Sequence, residues 1–182
     1  ANRLTENNES TVTLVEAGGP DRWWNWKVHM PSALAYPLAD NKYNWAYFSE
    51  PERYLGGRRM YCPRGKIWGG SSSINGMAYV RGHALDYERW SVVSGCEGWS
   101  YSECLPYFKK AESIDIGGDD YRGGVGPLQV TAGKMDNPLY RAWIDAGRQA
   151  GYPVTSDPNG YQQEGLGRMD MTVGCGRRSS AA

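Results

Sequence analysis

The chain has 182 residues, 24 of them glycine and 10 proline, and its 20 Lys plus Arg balance 20 Asp plus Glu, so it reads as a loop-rich chain of ordinary domain size. A pI near 6.9 and the lack of any long run of like charge leave no field to hold a polyanion, which excludes nucleic acid as an expected partner. No apolar window reaches the ~18 residues of a membrane span, and no apolar stretch follows a basic start at Ala1–Glu6, so neither a transmembrane segment nor a signal peptide is read.

Ala1 to Glu6 has the pattern of the last turns of a helix, ended by Asn7-Asn8. Thr11-Val12-Thr13-Leu14-Val15 is rich in β-branched side chains and predicts a short, largely buried strand. Glu16 stands at its carboxyl end, followed by Ala17-Gly18-Gly19-Pro20. A helix tail, a strand and a strand-end acid make the second half of a βαβ unit; in dinucleotide-binding units that acid accepts hydrogen bonds from a ribose. The matching glycine turn would fall before residue 1.

Residues 21–63 have no sustained period and read as a long excursion. They open on Trp23, Trp24 and Trp26, part of an odd balance of 8 Trp and 13 Tyr against 2 Phe. Such aromatics either face a core or lie half-buried against a cofactor, a second domain or a partner. Residues 64–76 are rich in glycine and serine. The pair Gly69-Gly70 followed by three serines has the composition of a loop that lies against phosphates or a ring system, or of a flexible linker. It is not a P-loop, because Lys66 precedes the double glycine. Asp86–Trp90 predicts one helical turn. Ser100 and Glu103 form a capping box that opens a helix to about Glu112, in which Pro106 predicts a kink or a late start. Asn137 as N-cap, Pro138, the apolar Leu139, Ala142, Trp143, Ala146 and Ala150, then Gly151 and Pro153, define a second helix at both ends.

Cys62, Cys96, Cys104 and Cys175 contain no C-x-x-C pair, and His29 and His83 are the only histidines, so neither a metal site nor a disulfide scaffold is expected. A G-x-S-x-G elbow is absent. Asp119-Asp120 lie in a glycine-rich turn and read as solvated.

Arg64 to Asn75, continued by Gly76-Met77-Ala78-Tyr79-Val80-Arg81-Gly82, resembles the first signature of the glucose-methanol-choline (GMC) flavin oxidoreductases. Glu16-Ala17-Gly18-Gly19, Tyr43-Asn44-Trp45, Arg58-Arg59-Met60, Trp99-Ser100-Tyr101, Leu105-Pro106-Tyr107-Phe108, Tyr121-Arg122-Gly123-Gly124 and Asn159 to Gly165 follow in that family's order. The likeness covers nearly the whole chain and is strongest to the choline-oxidising bacterial members.

The resemblance implies an α/β fold, with residues 1–130 as part of a Rossmann-like FAD-binding domain and 131–182 as the start of a substrate-binding region. By position, Glu16 matches the acid that binds the adenosine ribose of FAD, and Gly70, Ser71, Asn75, Gly76 and Ala78 fall on the loop along the pyrophosphate and isoalloxazine. Ile74 stands where some members carry a histidine bonded to flavin, which implies noncovalent FAD. Trp68 replaces a smaller aliphatic residue usual in that loop. The family's glycine turn and catalytic histidine would lie before residue 1 and beyond Ala182. No catalytic residue is therefore expected here, and the chain reads as an internal piece of a longer gene product. The implied reaction is oxidation of a primary alcohol, choline or a related one, with hydride passing to flavin, and it implies a location in the cytoplasm or peripheral to the inner membrane. The rival reading is a non-catalytic module that binds FAD weakly or only packs against another chain. The electron acceptor stays open.

Overall fold

A computed structural model describes residues 2–182. The chain forms two compact units, one running up to Asn75 and joined by Ala181–Ala182, the other spanning Gly76–Ser180.

The first unit opens on a 3-10 turn at Asn2–Thr5 in place of the helix tail expected there. The segment after it is not the predicted strand. Thr11–Val15 has no regular secondary structure and pairs with no strand among the described residues, and Leu14 and Val15 are 62% and 89% exposed. β-branched residues favour a pleated surface only when a neighbouring strand and a covering layer are present.

The excursion that follows contains short elements set by its prolines. Helix α1 (Trp26–His29) ends at the extended Met30, Pro31 starts a 3-10 turn, and α2 (Ala35–Ala39) follows. Strands β1 (Tyr47–Phe48) and β2 (Tyr61–Cys62) form an antiparallel pair with Tyr47 opposite Cys62. Val28, Tyr43, Ile67 and Ile74 make the buried cluster, with Leu38 packed on it. Asn44 is buried and satisfied on both sides: its amide donates to the Leu38 carbonyl at 2.8 Å, and its Oδ1 accepts from the Arg64 amide at 2.9 Å. That side chain ties the glycine-rich segment to the apolar cluster.

In the second unit, β3 (Ala78–Tyr79) leads into α3 (Ala84–Ser91), which is longer than the single turn expected because the His83 Nδ1 caps the Leu85 amide. Helix α4 (Tyr101–Ala111) begins where the capping box places it, with the Ser100 hydroxyl and the Glu103 carboxylate bonded reciprocally to each other's amides. The late start is not observed. Pro106 lies inside the helix, where it forgoes one backbone donor, and the box holds the first turn.

Helix α4 runs directly into β4 (Glu112–Ile114), which pairs in parallel with β5 (Leu128–Val130). Helix α5 (Pro138–Gln149) has the expected Asn137 cap and stops before Gly151 at a φ of +83°. Its buried residues are Ile144 and Gly147, whereas Leu139 and Trp143 are 75% and 63% exposed. β6 (Asp170–Met171) pairs antiparallel with β3, and β7 (Val173–Gly174) pairs antiparallel with β8 (Arg177–Arg178).

The tryptophans resolve against a core: all eight are exposed, from 44% at Trp45 to 72% at Trp23, whereas Tyr43 packs in the buried cluster. No helix among the described residues is long and apolar enough to cross a membrane.

Candidate functional site

In the first unit the Glu16 turn and the glycine-rich turn are stitched into one structure by backbone contacts. Gly19 bridges Ile67 in parallel, and the Trp68 amide donates to the Gly19 carbonyl at 3.1 Å. Gly18 allows that approach. A Cβ there would collide with the Lys66 carbonyl and the Ile67 amide, which are backbone atoms that cannot swing aside. Gly65 plays the same part within the second turn, where its α-carbon faces the backbone of Gly70 and its amide donates to the Ser71 hydroxyl at 3.0 Å. Gly70 has a φ of +56° and begins a 3-10 turn over Gly70–Ser73, whose Ser71 carbonyl accepts from the Asn75 amide at 2.9 Å. The space over the α-carbons of Gly19 and Gly70 is open for at least 4 Å, so a ligand can reach the backbone there.

Glu16 is half-buried, and its Oε1 accepts from the Gly18 amide at 2.9 Å. This bond holds the carboxylate against its own turn. The other oxygen, Oε2, accepts no hydrogen bond among the described residues. Glu16, Gly70, Ser71 and Asn75 thus share one unit. Gly76 and Ala78 belong to the other, where both are exposed at the surface beside the buried Met77. Ile74, the residue in the place of a flavin-linked histidine, is 2% exposed and packs in the apolar cluster.

Both histidines have structural partners. The His29 Nε2 lies 2.9 Å from Asp21 Oδ1 and 3.0 Å from the Arg22 carbonyl, and His83 caps α3. Asp119 is exposed, as expected, and its Oδ1 accepts from the Tyr121 and Arg122 amides at 2.7 Å each, closing a turn. The four cysteines are free.

Sequence reasoning missed the most heavily charged feature of the molecule, a buried ion cluster in the second unit. Arg122, 1% exposed, donates through Nε and Nη2 to Glu112 Oε1 at 3.0 and 2.5 Å, and through Nη1 to Asp157 and Asp170, each at 2.8 Å. Arg81 Nη2 reaches Glu112 Oε2 at 2.5 Å, and Arg168 Nε reaches Asp170 Oδ1 at 3.0 Å. Three arginines meet three carboxylates, so the cluster is neutral.

Burial works against the Arg122 charge, but its bonds to Glu112, Asp157 and Asp170 outweigh that and hold the guanidinium protonated above its usual range. Burial likewise pushes the Asp157 carboxyl up, yet Arg122 and the Asn159 amide bring it to a net value below the ordinary carboxylate range. A lowered carboxylate pKa contributes stability that is complete above the ordinary value of about 3.9 and is lost as pH falls through the folded value. The difference in urea midpoint between the wild type and Asp157→Asn should therefore shrink as pH is lowered from about 7 to about 3. A constant difference across that range would remove Asp157 from the acid response. Beside the cluster, burial and the Glu112 charge raise the Tyr79 hydroxyl above its ordinary value.

The sequence profile of the GMC oxidoreductases, described as "GMC oxidoreductase", matches residues 2–182. The chain belongs to this family. It is 59% identical over 184 aligned residues to oxygen-dependent choline dehydrogenase of Burkholderia cenocepacia, covering 100% of this chain and 32% of that protein. The protein of the same name in Burkholderia thailandensis is 58% identical, with 33% of its length covered. Among solved structures, pyridoxine 4-oxidase from Mesorbium loti superposes with a TM-score of 0.89 and 34% identity over 99% of this chain and 35% of the other. A formate oxidase from Aspergillus oryzae, studied for its FAD modification, gives 0.84 and 29% over 100% of this chain and 33% of the other. The chain therefore spans about a third of the length of these GMC relatives, and its mixed helix and strand fold is that of the matching part of GMC flavoenzymes.

Proposed function

We propose that this chain forms the flavin-loop part of an FAD-dependent alcohol dehydrogenase of the GMC family, acting on a primary alcohol such as choline. The observation that carries the reading is the Glu16 carboxylate, fixed by the Gly18 amide with one oxygen left over, on a turn joined to the open backbone at Gly70. Residues 1–130 would serve the flavin side and 131–182 would open the substrate region. We place the protein in the cytoplasm, or peripherally on the inner membrane.

On this reading, bound FAD supplies the hydride-accepting chemistry. Glu16 would accept from the ribose hydroxyls, the open backbone at Gly70 and the Ser71 and Asn75 groups would line the pyrophosphate side, and Gly76 and Ala78 would approach the ring. These residues bind and orient; they remove no proton. The alcohol's proton requires a base, and we assign that role to neither histidine: His29 Nε2 is held by Asp21 and the Arg22 carbonyl, and His83 Nδ1 caps a helix.

The test is FAD titration of the wild type and Glu16→Ala, with full-length relatives as reference. Loss of one charge-assisted bond should weaken FAD about 10- to 150-fold. Equal affinity would overturn the assignment of Glu16. Ile74 offers no nucleophile, so acid precipitation of flavin-loaded protein should leave all the yellow colour in the supernatant. Colour retained in the pellet would mean a covalent link through another residue. By itself the chain should give no choline-dependent dye reduction with FAD supplied. Turnover that is lost in His29→Ala or His83→Ala would reverse that expectation and favour a base within the chain.

A further inference from the structure

Buried ion clusters owe little of their value to net stability, because desolvating the charges cancels most of their attraction, whereas their bond directions are demanding. In this cluster each of the three carboxylates leads, by a different route, to the same five residues, 77–81. Glu112 holds the Arg81 guanidinium, at the end of that stretch. Asp170 sits in β6 directly opposite Tyr79. Asp157 accepts from the Asn159 amide at 2.9 Å, and the Asn159 side chain then takes the place of a paired strand: its Nδ2 donates to the Tyr79 carbonyl at 3.0 Å and its Oδ1 accepts from the Arg81 amide at 2.8 Å. Arg122 joins all three carboxylates, and its guanidinium lies 6.0 Å from the centre of the Tyr79 ring.

The stretch so held is under strain. Met77 has a φ of +61° and is 1% exposed, a backbone state that a side chain tolerates only where the surroundings over-determine it. Its carbonyl accepts from the Thr172 amide at 2.8 Å. Burial alternates along the stretch, with Met77 and Arg81 buried and Gly76, Ala78 and Val80 exposed, so a slip of one residue would turn Met77 outward and bring Gly76 and Ala78 inward.

We infer that Arg122 is a positioning residue: with Glu112, Asp157 and Asp170 it fixes the register of Gly76–Gly82 so that Gly76 and Ala78 face outward, and, on the flavin reading proposed above, toward the cofactor. Lysine cannot replace it, since a single ammonium does not span three carboxylates as the guanidinium fork does.

Hydrogen exchange of the full 182-residue chain tests this without depending on cofactor. In Arg122→Lys, peptides covering 76–82 should exchange about tenfold faster than in the wild type, while those of α5 stay unchanged. Unchanged exchange at 76–82, or an equal acceleration in α5, would overturn the proposal, the latter by reducing Arg122 to a general stabiliser. Should Arg122→Lys fail to fold, Asp157→Asn at the rim of the cluster must give the same selective pattern, and a uniform effect or none would overturn the proposal equally. A parallel FAD titration of the wild type separates the two readings. Absence of binding counts against the flavin assignment alone, and the exchange pattern still decides whether Arg122 positions the segment.

Discussion

Arg122→Met should lower the unfolding free energy of the second unit by about 3–5 kcal/mol, the usual cost of removing one partner from a buried ionic group. The substitution leaves Glu112, Asp157 and Asp170 facing only Arg81 and Arg168, and Glu112 and Asp170 have side chains with no exposure to water. The excess negative charge must be protonated, hydrated by opening the unit, or tolerated in place, and each is costly. Urea unfolding followed by far-ultraviolet circular dichroism measures the loss. A change under 1 kcal/mol would show that water reaches the cluster freely, contrary to its burial.

Gly18→Ala should cost about 3 kcal/mol, near the upper end for overpacked sites, because the added methyl meets the backbone of Lys66 and Ile67 instead of a side chain able to rotate away. Its neighbour supplies the control. A Cβ at Gly19 meets nothing within 4 Å, so Gly19→Ala should be neutral, or stabilising by up to about 1 kcal/mol through the unfolded chain. The same pair reports on function, since pushing the Glu16 turn away from the glycine-rich turn should weaken FAD in Gly18→Ala. Equal stabilities for the two variants would mean that the turns are not joined as described.

What could be read from the chain beforehand follows from the range of the interactions. The capping box at Ser100 and Glu103 and the Asn137-Pro138 start each close within a few residues, and both helices begin where the sequence places them. The glycine-rich segment also closes locally, at Gly70–Ser73, but its composition left a flexible linker open beside a loop that lies against a ligand. Thr11–Val15 is no strand despite its composition, because a strand is defined by partners elsewhere in the chain, and β-branched residues cannot supply them. The ion cluster was invisible to spacing: its bonds join residues 31, 10, 35 and 48 positions apart. A signal for it did exist in the family-like words Gly76 to Gly82 and Tyr121-Arg122-Gly123-Gly124, which contain Arg81 and Arg122. Polar residues in such a word, with no ligand role to occupy them, are candidates for buried structure. The face of α5 illustrates another limit, since its apolar period is real but leaves Leu139 and Trp143 in solvent.

The exposure of every tryptophan determines what light can report about this molecule. Indoles that are 44–72% exposed already meet water before any denaturant is added, so intrinsic fluorescence should change less on unfolding than that of buried tryptophans and would understate the stability differences predicted above. The same property makes the emission a sensor of coverage. A cofactor or protein surface laid over Trp68, beside the double glycine, or over the Trp23–Trp26 run should shift the spectrum to shorter wavelength or quench it, and single Trp→Phe variants would map which face has been covered.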